Sequence, residues 1–330
     1  MQIAPERTRA ATPERPVGVA LLRGEPQTHG GITIIPLLAP LPARRAYITL
    51  DEAAPRGFHI SEIDEHGSVP QLLVRNPLAE DVLLYDGEEV VGAKQNRVLE
   101  ASVLVPALAT QKIPVACVEA GRWHDSGRDF EASDRVAHPE VRRRKSSDLE
   151  HAPLSSGSSQ STVWSAIDER LAASQVHSLT SALADVHEAE RPRIDALADE
   201  FPLVEGQCGA ILALGSDLCL DLVSRPDAWT VLWPKIRRGY LLDGVTCVND
   251  DPTPAELVEA FAADVVTAPA SWQPSPGLGD DARLHGRDVS GSALVVEGET
   301  IQLSAYSRRR RTDGRGLSEH PVLRPSRRRR

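Results

Sequence analysis

Apolar residues in the first part of this chain come in short runs separated by turn formers. The runs cover residues 17–22, 32–38, 46–50, 58–63, 71–75, 82–85, 97–105 and 113–119. Between them lie Thr28-His29-Gly30-Gly31, Glu65-His66-Gly67, Arg75-Asn76-Pro77 and Asp86-Gly87. Short β-like runs bounded by such clusters predict strands. Their number and spacing predict an antiparallel sheet, a sandwich or an open barrel over residues 17–123.

The pattern then changes. Residues 124–160 carry a basic cluster, Arg142-Arg143-Arg144-Lys145, and a Ser/Gly stretch at 155–161, which together predict a long loop or hinge. From Thr162 the period becomes helical: Val163, Ile167 and Leu171 recur at i, i+4, and Leu179 and Leu183 carry the pattern towards Ile194, Leu197 and Phe201. Pro192 is expected to divide this stretch into two helices. Residues 207–214 and 218–223 predict a hairpin around Gly215-Ser216, and 228–242 and 254–266 predict helices, with Thr253 as a cap. A last hairpin is expected over 291–297 and 300–306, turning at Gly298-Glu299.

The fold class is therefore α+β: a strand-rich, antiparallel or sandwich-like first half, then a mixed helix and hairpin half. The expected organisation is a disordered 1–16, a domain over 17–306 (strand-rich 17–123, loop 124–160, mixed 161–306) and a disordered tail over 307–330.

Composition narrows the class. At 41% hydrophobic and 4% aromatic, aliphatic side chains must fill most of the core. No apolar run reaches membrane-spanning length, and residues 1–16 lack the apolar stretch of a secretory signal, so the cytoplasm is the expected compartment. Cys117, Cys208, Cys219 and Cys247 form no C-x-x-C pair, so neither a zinc site nor a disulfide framework is predicted, and no cofactor is specified. The net charge of −10 hides an arginine-rich end: residues 308–330 carry about +8 and the rest about −18. Such a tail has the charge to touch nucleic acid, but no aromatic residues interleave its arginines for stacking on bases. Nucleic acid is not the expected partner of the body.

The candidate chemistry lies where polar residues interrupt the apolar runs. Gly87-Glu88-Glu89-Val90-Val91-Gly92-Ala93-Lys94-Gln95-Asn96-Arg97 places an ammonium, two carboxamides and a guanidinium side by side. Polar groups are costly to bury without partners, so such a block implies a ligand or a polar network. In a strand, Lys94 and Asn96 share one face and Gln95 and Arg97 the other; in a loop after Gly92 all four can converge. Lys94 and Arg97 suit phosphate or carboxylate oxygens, and Gln95 and Asn96 suit base or ribose edges. The alternative is a structural network in which Arg97 pairs with Glu88 or Glu119.

Cys117-Val118-Glu119-Ala120-Gly121-Arg122-Trp123 follows. Alternation puts Cys117 and Glu119 on one face. A thiolate beside Arg122 and His124 would be an activated nucleophile, whereas a strand cysteine is ordinarily inert filling. Glu119, and Glu89 of the adjacent glutamates, are candidates for proton transfer, with a salt bridge to Arg122 and a solvated turn as the respective structural readings. Trp123 could stack on a ring. The candidate set is catalytic Glu119, Glu89 and Cys117 with ligand-binding Lys94, Gln95, Asn96, Arg97, Arg122 and Trp123, and no metal ligands. Neither a phosphate-binding G-x-x-x-x-G-K-[ST] loop nor G-x-G-x-x-G occurs.

These blocks, with Tyr47-Ile48-Thr49-Leu50-Asp51-Glu52-Ala53, Gly67-Ser68-Val69-Pro70, Gln160-Ser161-Thr162-Val163-Trp164, Leu220-Asp221-Leu222 and Leu232-Trp233-Pro234-Lys235, resemble the ARG and Rhodanese-Phosphatase-superfamily-associated protein domain over residues 17–306. The resemblance implies no established activity. It implies association with ADP-ribosylglycohydrolases and rhodanese-phosphatases, and binding or processing of ADP-ribose or NAD-derived nucleotides. The alternative is a non-catalytic scaffold or regulator. Family alone does not fix function.

Overall fold

The computed structural model describes residues 14–63, 70–121, 129–150, 152, 154, 157 and 159–308. The strand elements in chain order begin with β1 (Leu22–Arg23), β2 (Gln27–His29), β3 (Ile32–Leu38) and β4 (Ile48–Thr49), followed by helix α1 (Leu50–Ala53). Then come β5 (His59–Ser61), β6 (Gln71–Arg75), β7 (Val82–Leu84), β8 (Glu88–Val91), β9 (Arg97–Leu99), β10 (Val103–Val105), β11 (Thr110–Cys117) and β12 (Glu131–Val136). Helices α2 (Pro139–Leu149), α3 (Gln160–Ala173) and α4 (Leu183–Ala198) precede the hairpin β13 (Gln207–Leu214) and β14 (Asp217–Val223). The chain continues with α5 (Pro226–Gly244), α6 (Ala255–Thr267), β15 (Ala270–Pro274), β16 (Asp280–His285), β17 (Val289–Val296) and β18 (Glu299–Ser307). This is a mixed α+β fold with its strands concentrated in the N-terminal half.

Among the described residues, three sheets organise it. The largest runs β1-β3-β13-β14-β18-β17-β16-β15, with β2 on β3. The first three strands thus belong to a sheet built mainly from the second half of the chain. Every pairing in it is antiparallel. Strand alternation divides its side chains: Ala210 and Leu212 pack with Trp229, Leu232 and Trp233 of α5, while Ile211 and Ala213 pack with Val258, Phe261 and Val265 of α6. A second sheet, β12-β8-β9-β11-β6-β5, and a third, β10-β7-β4, enclose a core of Leu72, Val74, Leu84, Val90, Leu99 and Val115.

Several expectations need correction. The stretch 124–160 is not only loop: it holds β12 and α2. Helix α2 shows no apolar stripe because the side chains it buries include Arg142 and Lys145, whose charges are met by Asp221 and Asp86. Pro192 lies inside a single helix, α4, rather than between two. Leu179 is fully exposed and outside any helix. The run 97–105 is two strands in different sheets, β9 and β10. Thr253 does not cap α6; its hydroxyl donates to Gly215 O at 3.0 Å, and Pro254 takes the cap position. Of the segment 1–16, Arg15 exchanges backbone hydrogen bonds with Ala270 and sits over the Trp272 ring. Of the tail, Arg308 donates to Glu150. Residues 1–13 and 309–330 lie outside the described residues.

Candidate functional site

The block after Gly92 forms a bend between β8 and β9. Gly92 has φ +139°, and a Cβ there would come within 2.4 Å of Asp129 O, so only glycine lets the two segments approach. Along the bend burial alternates: Gln95 and Arg97 are buried, while Lys94 and Asn96 are half-buried.

Arg97 has no exposed surface. Its Nη1 donates to Gln95 Oε1 at 2.6 Å and to Cys117 Sγ at 2.7 Å, and its Nη2 lies 3.8 Å from Glu62 Oε1. Gln95 in turn donates from Nε2 to Glu119 O at 2.9 Å. The Glu119 carboxylate accepts from Asn96 N at 3.4 Å and from the Thr180 hydroxyl at 3.2 Å. Gln160, at the start of α3, closes the network from the other side: its Oε1 accepts from Cys117 N and its Nε2 donates to Cys117 O. Gln95, Arg97, Cys117 and Glu119 therefore form one interlocked, buried cluster, which Asn96 joins through its backbone N–H, while Lys94 and Asn96 are half-buried beside it. Arg122, Trp123 and His124 lie outside the described residues.

The thiol of Cys117 illustrates how burial decides reactivity. A guanidinium does sit beside it, as the activated reading requires. Burial nevertheless pushes the thiol up, aided by Glu62 and Glu100, and outweighs Arg97, so that it titrates near about 11. A thiol of that kind carries about 0.03% thiolate at pH 7.5. In native protein at that pH, iodoacetamide is expected to modify half-buried Cys247 first and to leave Cys117 unlabelled, read by mass spectrometry of the peptides. Labelling of Cys117 ahead of Cys247 would contradict this.

The adjacent glutamates do not form a solvated turn. Glu88 and Glu89 lie in β8 with their side chains buried. Glu88 Oε1 accepts from Lys235 Nζ at 2.9 Å, and that ammonium also contacts Asp51 at 2.6 Å. Glu88 is thus committed to Lys235, not to Arg97. Glu89 accepts from Arg135 Nε at 2.8 Å; burial raises its carboxyl above the usual range despite that partner. The charges that let these two acids be buried come from β12 and α5, far along the chain.

A second buried network had one visible signal, Asp221 among leucines. Its carboxylate accepts from Arg142 Nη1 (2.8 Å) and Nη2 (2.6 Å), the Tyr85 hydroxyl (2.6 Å), the Tyr240 hydroxyl (2.8 Å) and the Ser304 hydroxyl (2.6 Å). Burial pushes this carboxyl up, but Arg142 and the hydroxyls prevail and hold it below the usual range. Next to it, Lys145 donates to Asp86 and to Leu99 O. His138 Nδ1 lies 2.7 Å from Asp243 Oδ1, a pairing 105 residues apart with no local sequence signal. Among the described residues, no group of three or more His, Cys, Asp or Glu is placed to hold a metal ion. Nor is any helix there long and apolar enough to cross a membrane.

The family model of the ARG and Rhodanese-Phosphatase-superfamily-associated Protein domain matches residues 21–306, most of the chain. The chain belongs to this family. The matched span includes both buried networks and all three sheets. No curated protein and no solved structure matches the chain.

Proposed function

We propose that this family member is a non-catalytic scaffold or regulatory protein acting inside the cell beside enzymes that process ADP-ribose or NAD-derived nucleotides. The polar block is then the structural core of the domain rather than a reaction centre. One observation carries this reading: the Arg97 guanidinium is wholly buried and engaged by Gln95, Cys117 and Glu62. It would have to leave all three to meet a phosphate. The neutral thiol of Cys117 agrees with it, because catalysis there would need a thiolate. The nucleotide context rests on the family's name, which couples the domain to ARG and rhodanese-phosphatase proteins, so the proposed partner is an enzyme of that kind.

A second reading has its own observation. Lys94 and Asn96 are only half-buried, and they could hold an ADP-ribose-like nucleotide together with Arg122 and Trp123. Titration calorimetry with ADP-ribose and with NAD separates the two. The scaffold reading expects no saturable heat from either compound. Saturable binding that Lys94→Ala abolishes while the melting curve stays unchanged would replace it with the ligand-holding one.

A further inference from the structure

Residues 14–23 run from one edge of the large sheet to the other. At one end Arg15 exchanges backbone hydrogen bonds with Ala270 of β15 and its carbonyl accepts from Trp272 Nε1 at 3.2 Å, while its guanidinium lies 4.5 Å from the Trp272 ring centre. At the other end Leu22 and Arg23, as β1, pair with β3. Strands β1 and β15 are the two ends of that sheet, seven interstrand spacings apart, which in a flat sheet is about 33 Å. Seven residues of extended chain reach about 25 Å at most. The sheet therefore curls until this strap can bridge its edges.

Little holds the strap along its length. Val17, Val19 and Leu21 are half-buried against the core that Phe261 and Val265 of α6 share with the sheet, while Gly18, Ala20 and Leu22 are exposed. Alternate residues thus face the slot, as in any extended chain. Among the described residues, residues 16–21 make no hydrogen bond, so the slot reads side chains and not backbone. The strap ends in Gly24-Glu25-Pro26, a connection outside any strand whose rotation would carry the whole segment away. What fits the slot is shown by what fills it: an arginine to lie over Trp272, then apolar side chains at every second position. Another copy of this chain carries that segment and an identical slot. Reciprocal exchange of straps makes the same contacts in both directions and closes a two-fold dimer.

We infer that residues 14–23 are an exchangeable strap, and that the slot beneath them is a docking surface for the same segment of a second copy of this chain. The slot lies on the α6 side of the large sheet, and the inference stands whether or not the polar block is purely structural.

A fluorescein-labelled peptide of residues 14–23, titrated into the full chain by anisotropy, tests it together with light scattering of the chain alone. The resident strap competes with the peptide, so the parent's apparent affinity is reduced to the fraction of slots that stand open. Val19→Asp in the chain loosens its own strap, and this variant is expected to bind the parent peptide about tenfold more tightly than the parent chain does. Arg15→Ala removes only an exposed side chain, is expected to gain about threefold, and serves should Val19→Asp not fold. A purely structural segment gives no such gain. The peptide carrying Val19→Asp is expected not to bind. Light scattering should show a dimer fraction that rises with the parent's concentration and falls when excess peptide is added. Absence of saturable binding to both variants, or equal affinity in parent and variants, overturns the exchangeable strap. A parent that stays monomeric at every concentration while the peptide binds overturns the second copy as occupant and gives the slot to a segment of another protein.

Discussion

Arg142→Met is expected to lower Tm by roughly 10 °C and to cost about 3–5 kcal/mol of folding free energy. Total stabilities of domains are about 5–15 kcal/mol, so this single change should leave the chain close to unfolding. The reason is what Arg142 leaves behind. Asp221 has no exposed surface, and the guanidinium is its one cationic partner among the described hydrogen bonds and ion pairs. Three hydroxyls remain to it, from Tyr85, Tyr240 and Ser304, which soften the loss but supply no charge. Removing the acid as well tests the mechanism: Arg142→Met with Asp221→Leu should recover part of the loss, since an apolar pair of similar volume is often tolerated where a lone buried charge is not. Denaturant melts of the single and double variants read this directly. Additive losses in the double variant would show that Arg142 stabilises by packing alone.

The same pair sets the response to acid. The folded Asp221 carboxyl titrates below its unfolded value of about 3.9. A depressed carboxyl contributes stability that is present above the unfolded pKa and is lost as pH falls through the folded one. Asp243 behaves in the same sense. Their contribution is therefore constant at neutral pH and declines below about pH 4. In Asp221→Asn the part due to Asp221 should be missing from the pH dependence of Tm.

Arg97→Ala is the second large effect, again about 3–5 kcal/mol. It removes the donor to Gln95 and Cys117, and it leaves Glu62 without the cation it faces. Both Glu62 oxygens are buried and have no hydrogen-bond partner among the described residues, so the loss of Arg97 exposes a charge penalty rather than a missing contact. Glu62→Gln added to Arg97→Ala should therefore restore part of the stability. Arg97→Lys should restore little, because an ammonium cannot reproduce the planar fork whose Nη1 serves Gln95 and Cys117 while its Nη2 faces Glu62. An Arg97→Ala protein that melts with the parent would remove the structural reading of the polar block, and with it the argument for a scaffold.

The polar block shows how far local pattern reaches. The sequence left the block as a strand with alternating faces or a loop; it is a bend over residues 93–95, and burial within it still alternates, with Gln95 and Arg97 inside and Lys94 and Asn96 half-buried. Local pattern could not identify Glu62 as the facing acid, nor Lys235 as the partner of Glu88. Those partners arrive from β5's flank and from α5, and their placement depends on how the sheets and helices pack. The pairing of His138 with Asp243 likewise leaves no trace at either position in the sequence.

By itself, the sequence determined the α+β class, the β13–β14 and β17–β18 hairpins, helices α3, α5 and α6, and membership of the family through its polar blocks. Period, turn residues and apolar spacing act over a few residues, so a linear reading can recover them. Only the tertiary structure decided that β1, β2 and β3 join the sheet of the second half and that a basic segment becomes the buried helix α2. It also decided the surroundings of the polar block, for which the sequence left a ligand site and a structural network open: Gln95, Arg97, Cys117 and Glu119 are buried and joined by hydrogen bonds, while Lys94 and Asn96 are half-buried. The physical reason is common to all three. Burial sets the cost of each polar group, and the partner that offsets this cost is chosen by packing rather than by neighbours in the chain.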